Sequence, residues 1–465
     1  MTPQVVAMQE RDSAKNSYGT IAGNRWIQLI CGVIAMILIS NYQYAFTLFT
    51  PGMKLTFPGV PYAKIAAIFS AFIFFETWPM PVAGYFVDKL GIRKLMTFGA
   101  VCIALGWGLG GTIARSPFEL YIYYGLIAGT GAGIIYISCV ANAVKWFPDR
   151  RGLAVGLTAA GFGGGAALTV IPIANSIHNL GWGRAMAVWG LAQGVIALVT
   201  AMILRHPPAG WIPKGWNPGA KRTGKAVVQS KVNFTWIQTL GRPEFYLLYT
   251  MFFFACAGGL IATANLSQIA KSLHVSDAKV LGLAIVPLTV TLTSICNALS
   301  RIVWGSVSDR LGRENTMFLT FGIEALLVFL VTRIAGTPIG FMVLFSFVFL
   351  FWGEIYSLFS ATTGDVFGSK NASANYGMVY TSKGLASLFA APGAAALAAY
   401  LGGSFAVPFY IAAGLCGIAA VFSLFVLKPL VRSRIAKEKV AAPATESVLE
   451  PIKKAEEKEE HLVSA

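Results

Sequence analysis

The chain alternates between long apolar stretches and short polar connections. An α-helix needs about 20 apolar residues to cross the roughly 30 Å hydrocarbon core of a bilayer. A membrane-spanning β-barrel would instead show a period-two alternation of apolar and polar residues, which this sequence lacks. We therefore predict twelve transmembrane helices, spans 1 to 12, at residues 26–49, 64–87, 95–114, 119–141, 152–174, 183–204, 244–270, 280–305, 316–335, 338–361, 373–400 and 404–428.

One long polar connection, residues 205–243, divides the predicted spans into two sets of six. We predict an all-α membrane protein of two pseudo-symmetric six-helix bundles, at residues 26–204 and 244–428, joined by this cytoplasmic linker. Residues 1–25 are polar and lack the apolar core of a signal peptide, which predicts a retained cytoplasmic N-terminal segment. Residues 429–465 are charged and rich in proline and alanine, a composition typical of a disordered cytoplasmic tail.

Composition supports a membrane location. Hydrophobic residues make up 56% of the chain and charged residues only 12%, whereas a soluble domain carries about 25% charged residues. So few charges cannot cover the surface of a soluble protein of this size, and lipid must take their place. The six cysteines lie singly within apolar segments, with no CxxC or Cys/His grouping, so the sequence predicts neither disulfides nor a metal site.

The distribution of basic residues predicts the orientation of the spans. Of the 36 lysines and arginines, 27 lie on the side that holds both termini and the linker. Cytoplasmic loops carry this excess in membrane proteins, so we expect both termini on the cytoplasmic side of the cell inner membrane. The same bias accounts for much of the net charge of +16, which therefore does not indicate nucleic-acid binding.

A short motif occurs once in each half of the chain. The segments Gly84–Arg93 and Gly305–Arg313 follow spans 2 and 8 and share the pattern G-x-x-x-D-[KR]-x-G, with a basic residue just after the second glycine. Their aspartates stand 221 positions apart, so the halves carry the motif in register. This pair, with the long central loop, resembles the major facilitator superfamily, in which the motif holds a cytoplasmic gate. The resemblance implies that role for Asp88, Lys89, Arg93, Asp309, Arg310 and Arg313.

The sequence offers no catalytic constellation. Gly219–Ala226 resembles the sequence motif of a phosphate-binding loop. It ends in alanine, however, where that motif has the serine or threonine that binds magnesium, and no predicted strand precedes it. The four histidines lie in loops or in the tail at no ligand spacing. We therefore predict that the protein is not an enzyme and that it uses no cofactor and no metal.

Five charged residues fall inside predicted spans, away from their ends. On insertion scales each costs about 2.5–3.5 kcal/mol at the centre of a membrane helix, so each needs a partner or water. The residues are Arg301, Lys383, Glu76, Glu324 and Glu354.

Arg301 and Lys383 lie at a similar depth. Arg301 stands eight residues before the motif aspartate of its half, about 12 Å from the cytoplasmic end of span 8 at 1.5 Å per residue. Lys383 lies ten residues into span 11. The repeat maps the two cations onto Met80 and Phe162, so the C-terminal half carries charges that the N-terminal half lacks. Helix packing does not require a guanidinium at this depth, whereas the binding of an anion does. We therefore favour an anion site over a structural ion pair.

Aromatic and polar side chains gather at the same depth. Each alone is typical of bundle packing, but with the two cations they suggest a small cage of hydroxyl donors and flat walls. They are Gln43 and Tyr44 in span 1, Tyr136 in span 4, Trp352 and Tyr356 in span 10, and Tyr380 in span 11.

Over nearly its whole length the chain resembles the oxalate:formate antiporter family. The resemblance rests on Asn41–Tyr44, Gly84–Lys89, Trp146–Gly152, Thr158–Gly163, Arg301–Asp309, Trp352–Tyr356 and Asn375–Lys383. It implies that Arg301 and Lys383 hold the carboxylates, and that Gln43, Tyr44, Tyr136, Trp352 and Tyr356 line the site.

The chain departs from that family at four positions. Phe162 stands where the best-known members have tyrosine, and Tyr380 where they have tryptophan. We include both in the predicted binding site. Glu76 and Glu354 replace neutral residues and are our candidate coupling residues. The lining is therefore close to that of the family without being identical.

Together, the resemblance and the charges predict a secondary transporter that exchanges oxalate for formate by alternating access. Its predicted partners are small carboxylate anions and the lipid bilayer, and we expect a monomer to be the functional unit. With the site empty, two buried cations lack counter-charges, and a dicarboxylate cancels both. Reorientation therefore favours the loaded carrier, which is exchange.

The two glutamates leave a second mechanism open. A carboxylate that pairs with Arg301 or Lys383 in the empty state lets the carrier return unloaded, which allows a proton-coupled symporter of monocarboxylates such as formate or lactate. Tyr356 lies about 200° around span 10 from Glu354, so Glu354 either faces a neighbouring helix or reaches only the edge of the cavity. A non-transporting sensor or membrane enzyme is the least favoured reading, because the sequence carries no output domain and no catalytic constellation.

Overall fold

Long apolar stretches of this length can satisfy their backbone groups within lipid only as helices. The computed structural model describes residues 23–208, 211–213, 230, 232–368 and 371–438. Its membrane-length helical segments, numbered as in the prediction, are Arg25–Tyr44 with Phe46–Thr56, Tyr62–Thr77 with Met80–Leu90, Ile92–Thr112, Pro117–Trp146, Arg151–Gly164 with Ala166–Leu180, Trp182–Ile203, Pro243–Ser272, Ile285–Leu311, Arg313–Ile334, Pro338–Trp352 with Ile355–Phe367, Ala372–Tyr400 and Ala406–Glu438.

Eleven of these described segments are both long and apolar enough to cross a membrane. Span 11 has the required length, with 29 residues, but it is more polar and contains the buried Lys383. Large apolar side chains such as Leu168, Met202 and Phe389 are exposed on the outside of the helices, whereas polar residues lie within. An apolar outer surface, with the buried polar and charged residues kept inside the bundle, is the distribution that a lipid environment favours.

Four spans are interrupted near the middle. Span 1 is broken at Ala45, span 5 at Gly165 and span 2 at Pro79, which cannot donate a backbone hydrogen bond. In span 10 the break includes Gly353, where a side chain would collide with the backbone and side chain of Asn297 in span 8. These breaks were not predicted from the sequence, and each lies within a few residues of a predicted site residue.

The repeated motif has the same backbone in both halves. Gly91 adopts φ 84° and ψ 149°, and Gly312 adopts φ 89° and ψ 150°. Each ends one helix and begins the next in a conformation that residues with a Cβ rarely adopt. The glycine of the motif is therefore required by the turn itself.

A short β-hairpin replaces the predicted start of span 8. Lys279–Val280 pairs with Leu283–Ala284, and the helix begins at Ile285 rather than at residue 280. The two turn residues, Leu281 and Gly282, both have positive φ, as a two-residue hairpin turn requires. Because the segment is apolar, its sequence pattern did not distinguish it from helix.

The predicted tail boundary also needs correction. Span 12 continues as a helix to Glu438, so the boundary at residue 428 falls inside it. Arg434 forms ion pairs with Glu244 and Glu438 and lies over the ring of Phe234, while Glu438 accepts a hydrogen bond from Ser230. The first ten residues of the predicted tail therefore hold the end of the linker against the C-terminal half. Residues 439–465 lie outside the described residues.

The two sets of six helices meet along three pairs of spans. Span 2 packs against span 11, span 5 against span 8, and span 1 against span 7. Hydrogen bonds cross this boundary between Thr47 and Ser267 and between Ser70 and Ser387. The described parts of the linker include one short helix, Trp236–Leu240; residues 209–210, 214–229 and 231, like residues 1–22, lie outside the described residues.

Candidate anion-binding site

Two cations lie at the boundary between the halves, where water does not reach them. Arg301 of span 8 is 1% exposed and Lys383 of span 11 is 0% exposed. Both side chains point away from the lipid-facing surface and toward the N-terminal half. A buried charge of this kind is costly unless its hydrogen-bonding groups are satisfied.

Lys383 is neutralised by a carboxylate from the other half. Its Nζ donates to Glu76 Oε2 at 2.8 Å and to Gln43 Oε1 at 2.8 Å, and lies 3.3 Å from the Tyr380 hydroxyl. Glu76 and Lys383 are both completely buried. The pair therefore joins span 2 to span 11 across the boundary.

Arg301 is held by neutral groups instead. Its guanidinium donates to the Ala159 carbonyl oxygen at 2.8 Å, to Asn297 Oδ1 at 3.3 Å and to the Tyr44 hydroxyl at 3.5 Å. Among the described residues no carboxylate forms an ion pair with it. Gly163 makes room for the guanidinium, since a Cβ there would lie 2.9 Å from Arg301 Nε.

Two aromatic rings are shared by the cations. The Tyr356 ring centre lies 4.3 Å from Arg301 Cζ and 5.5 Å from Lys383 Nζ. The Phe162 ring centre lies 5.7 Å and 5.5 Å from the same two atoms. The distance between Arg301 Cζ and Lys383 Nζ therefore cannot exceed the sum of their distances to the Tyr356 ring centre. One small dianion can reach both.

The remaining predicted lining residues surround these rings. Tyr136 stacks on Tyr380 with ring centres 5.5 Å apart and meets Phe162 edge-on at 5.3 Å. Trp352 lies one ring further from the cations and packs edge-on against Tyr356 at 5.3 Å. The structure thus brings together all nine residues predicted to bind substrate, namely Arg301, Lys383, Gln43, Tyr44, Tyr136, Trp352, Tyr356, Tyr380 and Phe162.

Several donors around the site have no hydrogen-bond partner. Gln43 Nε2, the Tyr356 hydroxyl and Trp352 Nε1 are all buried without one. Buried donors without partners are rare in proteins, because each loses its hydration without compensation. A cage with two cations and spare donors is suited to an anion with several acceptor oxygens.

Glu354 takes the first of the two orientations that the sequence left open. It faces away from the cage, where Ser300 of span 8 donates to its Oε2 at 3.3 Å. Tyr356, on the opposite side of span 10, faces the two cations. Of the two candidate coupling residues, only Glu76 contacts a predicted substrate-binding cation.

Both copies of the repeated motif include basic side chains that contact residues of their own half. Arg313 pairs with Asp309 at 2.7 Å and with Asp365 of span 10 at 2.9 Å. In the N-terminal copy Lys89 lies 4.6 Å over the Tyr85 ring. The other members, Arg93 and Arg310, are exposed, and the side chain of Asp88 lies outside the described part of the chain.

Asn297 is a site residue that sequence reasoning missed. Its amide nitrogen donates to the Tyr44 hydroxyl at 2.8 Å and its oxygen accepts from Arg301. It stands one helical turn before Arg301, so a search for polar residues four positions from each buried charge finds it. The role of Gly163, by contrast, depends on the approach of span 5 to span 8, which no local pattern shows.

Sequence comparison relates the chain to known proteins. The sequence model of the family described as Major Facilitator Superfamily matches residues 28–290 and 248–458. The oxalate:formate antiporter of Oxalobacter formigenes is 34% identical over 88% of this chain and 92% of its own length. Human monocarboxylate transporter 14 is 32% identical, but over only 30% of this chain and 27% of its own length.

A solved structure shows the fold. The crystal structure of a D-xylose-proton symporter superimposes with a TM-score of 0.66 over 85% of this chain and 96% of the symporter chain. The sequences are only 12% identical, so the likeness concerns the arrangement of helices alone. The predicted all-α membrane fold of twelve helices is confirmed by this likeness together with the family match.

Proposed function

This chain belongs to the major facilitator superfamily and, within it, to the oxalate:formate antiporter family, and from that premise we propose that it exchanges oxalate for formate across the plasma membrane. It is a multi-span transporter rather than an enzyme, and its relative from Oxalobacter formigenes is an oxalate:formate antiporter. Exchange proceeds by alternating access, with the site presented first to one side of the membrane and then to the other. The predicted orientation places both termini in the cytoplasm.

The observation that carries the proposal is the pair of buried cations beside common aromatic rings. Arg301 and Lys383 both lie against Tyr356 and Phe162, with unpartnered donors nearby. Oxalate is a flat dianion with an oxygen at each corner. A guanidinium binds one carboxylate through two parallel hydrogen bonds, an ammonium binds the other, and aromatic faces fit a flat anion between them.

Charge explains how one site can accept two anions. When Glu76 pairs with Lys383, Arg301 contributes the one positive charge that lacks a neighbouring anion, which suits formate. When a second carboxylate replaces Glu76 on Lys383, both cations serve the substrate, which suits oxalate. Glu76 thus acts as a built-in substitute for one substrate carboxylate.

The closed geometry supports alternating access. The site residues are buried, and the halves touch on both sides of them, through Thr47 and Ser267 on one side and through the approach of Pro81 to Gly377 on the other. A form closed on both sides is what alternating access requires as the carrier passes from one open state to the other with its substrate enclosed.

Counterflow into liposomes tests the proposal. Purified protein is reconstituted with internal oxalate, formate or lactate, and uptake of each labelled anion from outside is measured. We expect labelled oxalate to accumulate only when oxalate or formate is inside. Accumulation that is equal with and without internal anion would overturn exchange, and no uptake of any carboxylate would overturn the substrate class.

The Lys383–Glu76 pair favours a second candidate, a proton-coupled symporter of monocarboxylates. Because Lys383 already has a counter-charge, the empty carrier can reorient without two isolated cations. Protonation of Glu76 as substrate binds would then couple anion and proton. This mechanism predicts that a pH gradient drives uptake of lactate or formate into liposomes containing no anion, whereas strict exchange predicts none.

A further inference from the structure

A second group of buried acids lies in the C-terminal half, outside the anion site. Glu324 of span 9 and Glu354 of span 10 are both 0% exposed. Span 9 packs against span 10, and the two carboxyls lie within electrostatic range of each other. Neither residue contacts Arg301 or Lys383 in the described structure.

No cation balances these two carboxyls. Among the described residues no lysine, arginine or histidine forms an ion pair or hydrogen bond with either. The other titratable groups facing them are thiols, Cys416 of span 12 at 3.3 Å from Glu324 Oε2 and Cys256 of span 7 within electrostatic range. Span 8 contributes only the hydroxyl of Ser300.

One oxygen of each carboxyl is unsatisfied. Glu324 Oε1 and Glu354 Oε1 are buried without a hydrogen-bond partner in the structure. Ionising both groups would place two like charges in an interior of low dielectric constant, with no counter-ion and with acceptors left unfilled. A proton on either group removes one charge and supplies a donor for an unfilled acceptor.

We propose that Glu324 and Glu354 together hold a proton and form a titratable site in the C-terminal half that is separate from the anion site. The proton comes from bulk water and converts one carboxylate into a carboxylic acid. The buried carboxylate of Glu76 is balanced by Lys383. The two buried acids of the C-terminal half are instead accommodated by the proton that they share.

The acid pair is connected to the support of Arg301. Glu354 accepts from Ser300, the residue before Arg301, and Gly353 packs directly on Asn297, which holds the guanidinium. Loss of the proton adds negative charge behind span 8 and pushes spans 9 and 10 apart. Both effects weaken the hold on an anion, so we expect exchange to slow as pH rises and the proton is lost.

Infrared spectroscopy of the protein in liposomes tests this directly. Protonated carboxylic acids absorb in a window that ionised carboxylates leave empty. We expect a carboxylic-acid band in the unmodified protein at neutral pH, which disappears as pH rises. The band should be lost in the double variant Glu324→Gln, Glu354→Gln, and should titrate at a different pH in each single variant.

Glu76→Gln is the matched control, because Glu76 is equally buried but paired with Lys383. We expect the band to persist in that variant. Absence of the band from the unmodified protein at neutral pH would overturn the proposal, as would a band that survives in the double variant or vanishes in Glu76→Gln. The spectrum needs no transported substrate, so this result is independent of whether oxalate–formate exchange is correct.

The pH profile of exchange supplies the functional readout. The two glutamines keep the shape of the carboxyls and carry no titratable proton, so the double variant should show a flatter pH profile than the unmodified protein. A profile of unchanged shape, with the double variant still folded and in the membrane, would contradict the link between this site and transport.

Discussion

The two buried cations of the anion site occupy the same cage but are held in opposite ways. Lys383 meets a carboxylate from the N-terminal half at 2.8 Å, whereas Arg301 meets a backbone carbonyl, an amide and a hydroxyl. Both lie on the C-terminal half, at similar distances from the Phe162 ring. The difference is therefore one of partners and not of position.

This contrast assigns the cations different tasks. Under the proposed exchange, an incoming carboxylate has no protein carboxylate to displace at Arg301, so we expect the guanidinium to anchor either substrate. At Lys383 the carboxylate must replace Glu76, and replacing it breaks a contact between spans 2 and 11. Occupancy at Lys383 is thereby linked to the contact between the halves, which is what an alternating-access carrier requires.

The largest effect should come from breaking the Lys383–Glu76 pair. Lys383→Gln or Glu76→Gln alone leaves one charge buried without its partner, which costs about 3–5 kcal/mol of stability. The double variant removes both charges and should recover most of that loss. Thermal unfolding of the three purified variants measures this. Single variants as stable as the unmodified protein would show that the pair does not hold the empty site together.

The next largest effect concerns the planar guanidinium of Arg301. Arg301→Lys keeps the charge but loses the planar fork, and hydrogen bonds to charged groups are worth about 1.5–3 kcal/mol each. We expect oxalate affinity to fall roughly 10- to 100-fold. Arg432→Lys is the matched control, since it is an exposed arginine of the C-terminal half outside both the site and the repeated motif. Equal losses from the two variants at matched expression would rule out a bidentate role for Arg301.

The two cations could be found from the sequence because a charge stands out in an apolar run. Two criteria were enough to identify Arg301 and Lys383: the free-energy cost of a charge within a membrane helix, and the absence of a charge at the equivalent positions of the N-terminal half. Their partners required three-dimensional information, because Glu76 lies 307 positions from Lys383 and no local pattern joins them. The sequence predicted that both glutamates need partners, and the fold decides which of them obtains a cation.

Orientation within span 10 shows the same limit. Helical periodicity placed Glu354 and Tyr356 on different faces, yet it could not say whether Glu354 faces a neighbouring helix or reaches the edge of the cavity. The answer depends on how span 10 meets span 8, where Asn297 approaches Gly353 too closely for any side chain at that position. The hairpin at Lys279–Ala284 was mistaken for helix for a related reason, since its apolar residues fit either structure.

A smaller effect should appear in substrate preference. Glu76→Gln leaves Lys383 without a counter-charge, so the site gains one unit of positive charge and favours a dianion over a monoanion. We expect the preference for oxalate over formate to rise about tenfold, or ~1.4 kcal/mol. Competition of each anion against labelled oxalate measures the ratio. An unchanged ratio would mean that Glu76 does not compete with substrate at Lys383.

The smallest effect concerns the hydroxyl of Tyr356, whose ring both cations share. Its removal should change oxalate binding and protein stability in opposite directions. The Tyr356 hydroxyl is buried without a partner, so it costs the empty protein stability and is available to an anion beside Arg301. Tyr356→Phe keeps the ring, and we expect it to weaken oxalate binding by about 0.5–1.5 kcal/mol, since a net hydrogen bond is lost. The same change should leave the stability of the empty protein equal or slightly higher, because an unsatisfied buried group is removed.

Tyr42→Phe is its control and should give the opposite result. Tyr42 is equally buried, but its hydroxyl donates to the Ile103 carbonyl oxygen at 3.1 Å within the N-terminal half, away from both cations. Its loss should lower the unfolding temperature and leave oxalate affinity unchanged. Affinity from binding assays and unfolding temperature from the same preparations test both variants together. If Tyr356→Phe instead loses stability with its affinity intact, the shared ring is packing, and the anion is held by Arg301 and Lys383 without help from the hydroxyl.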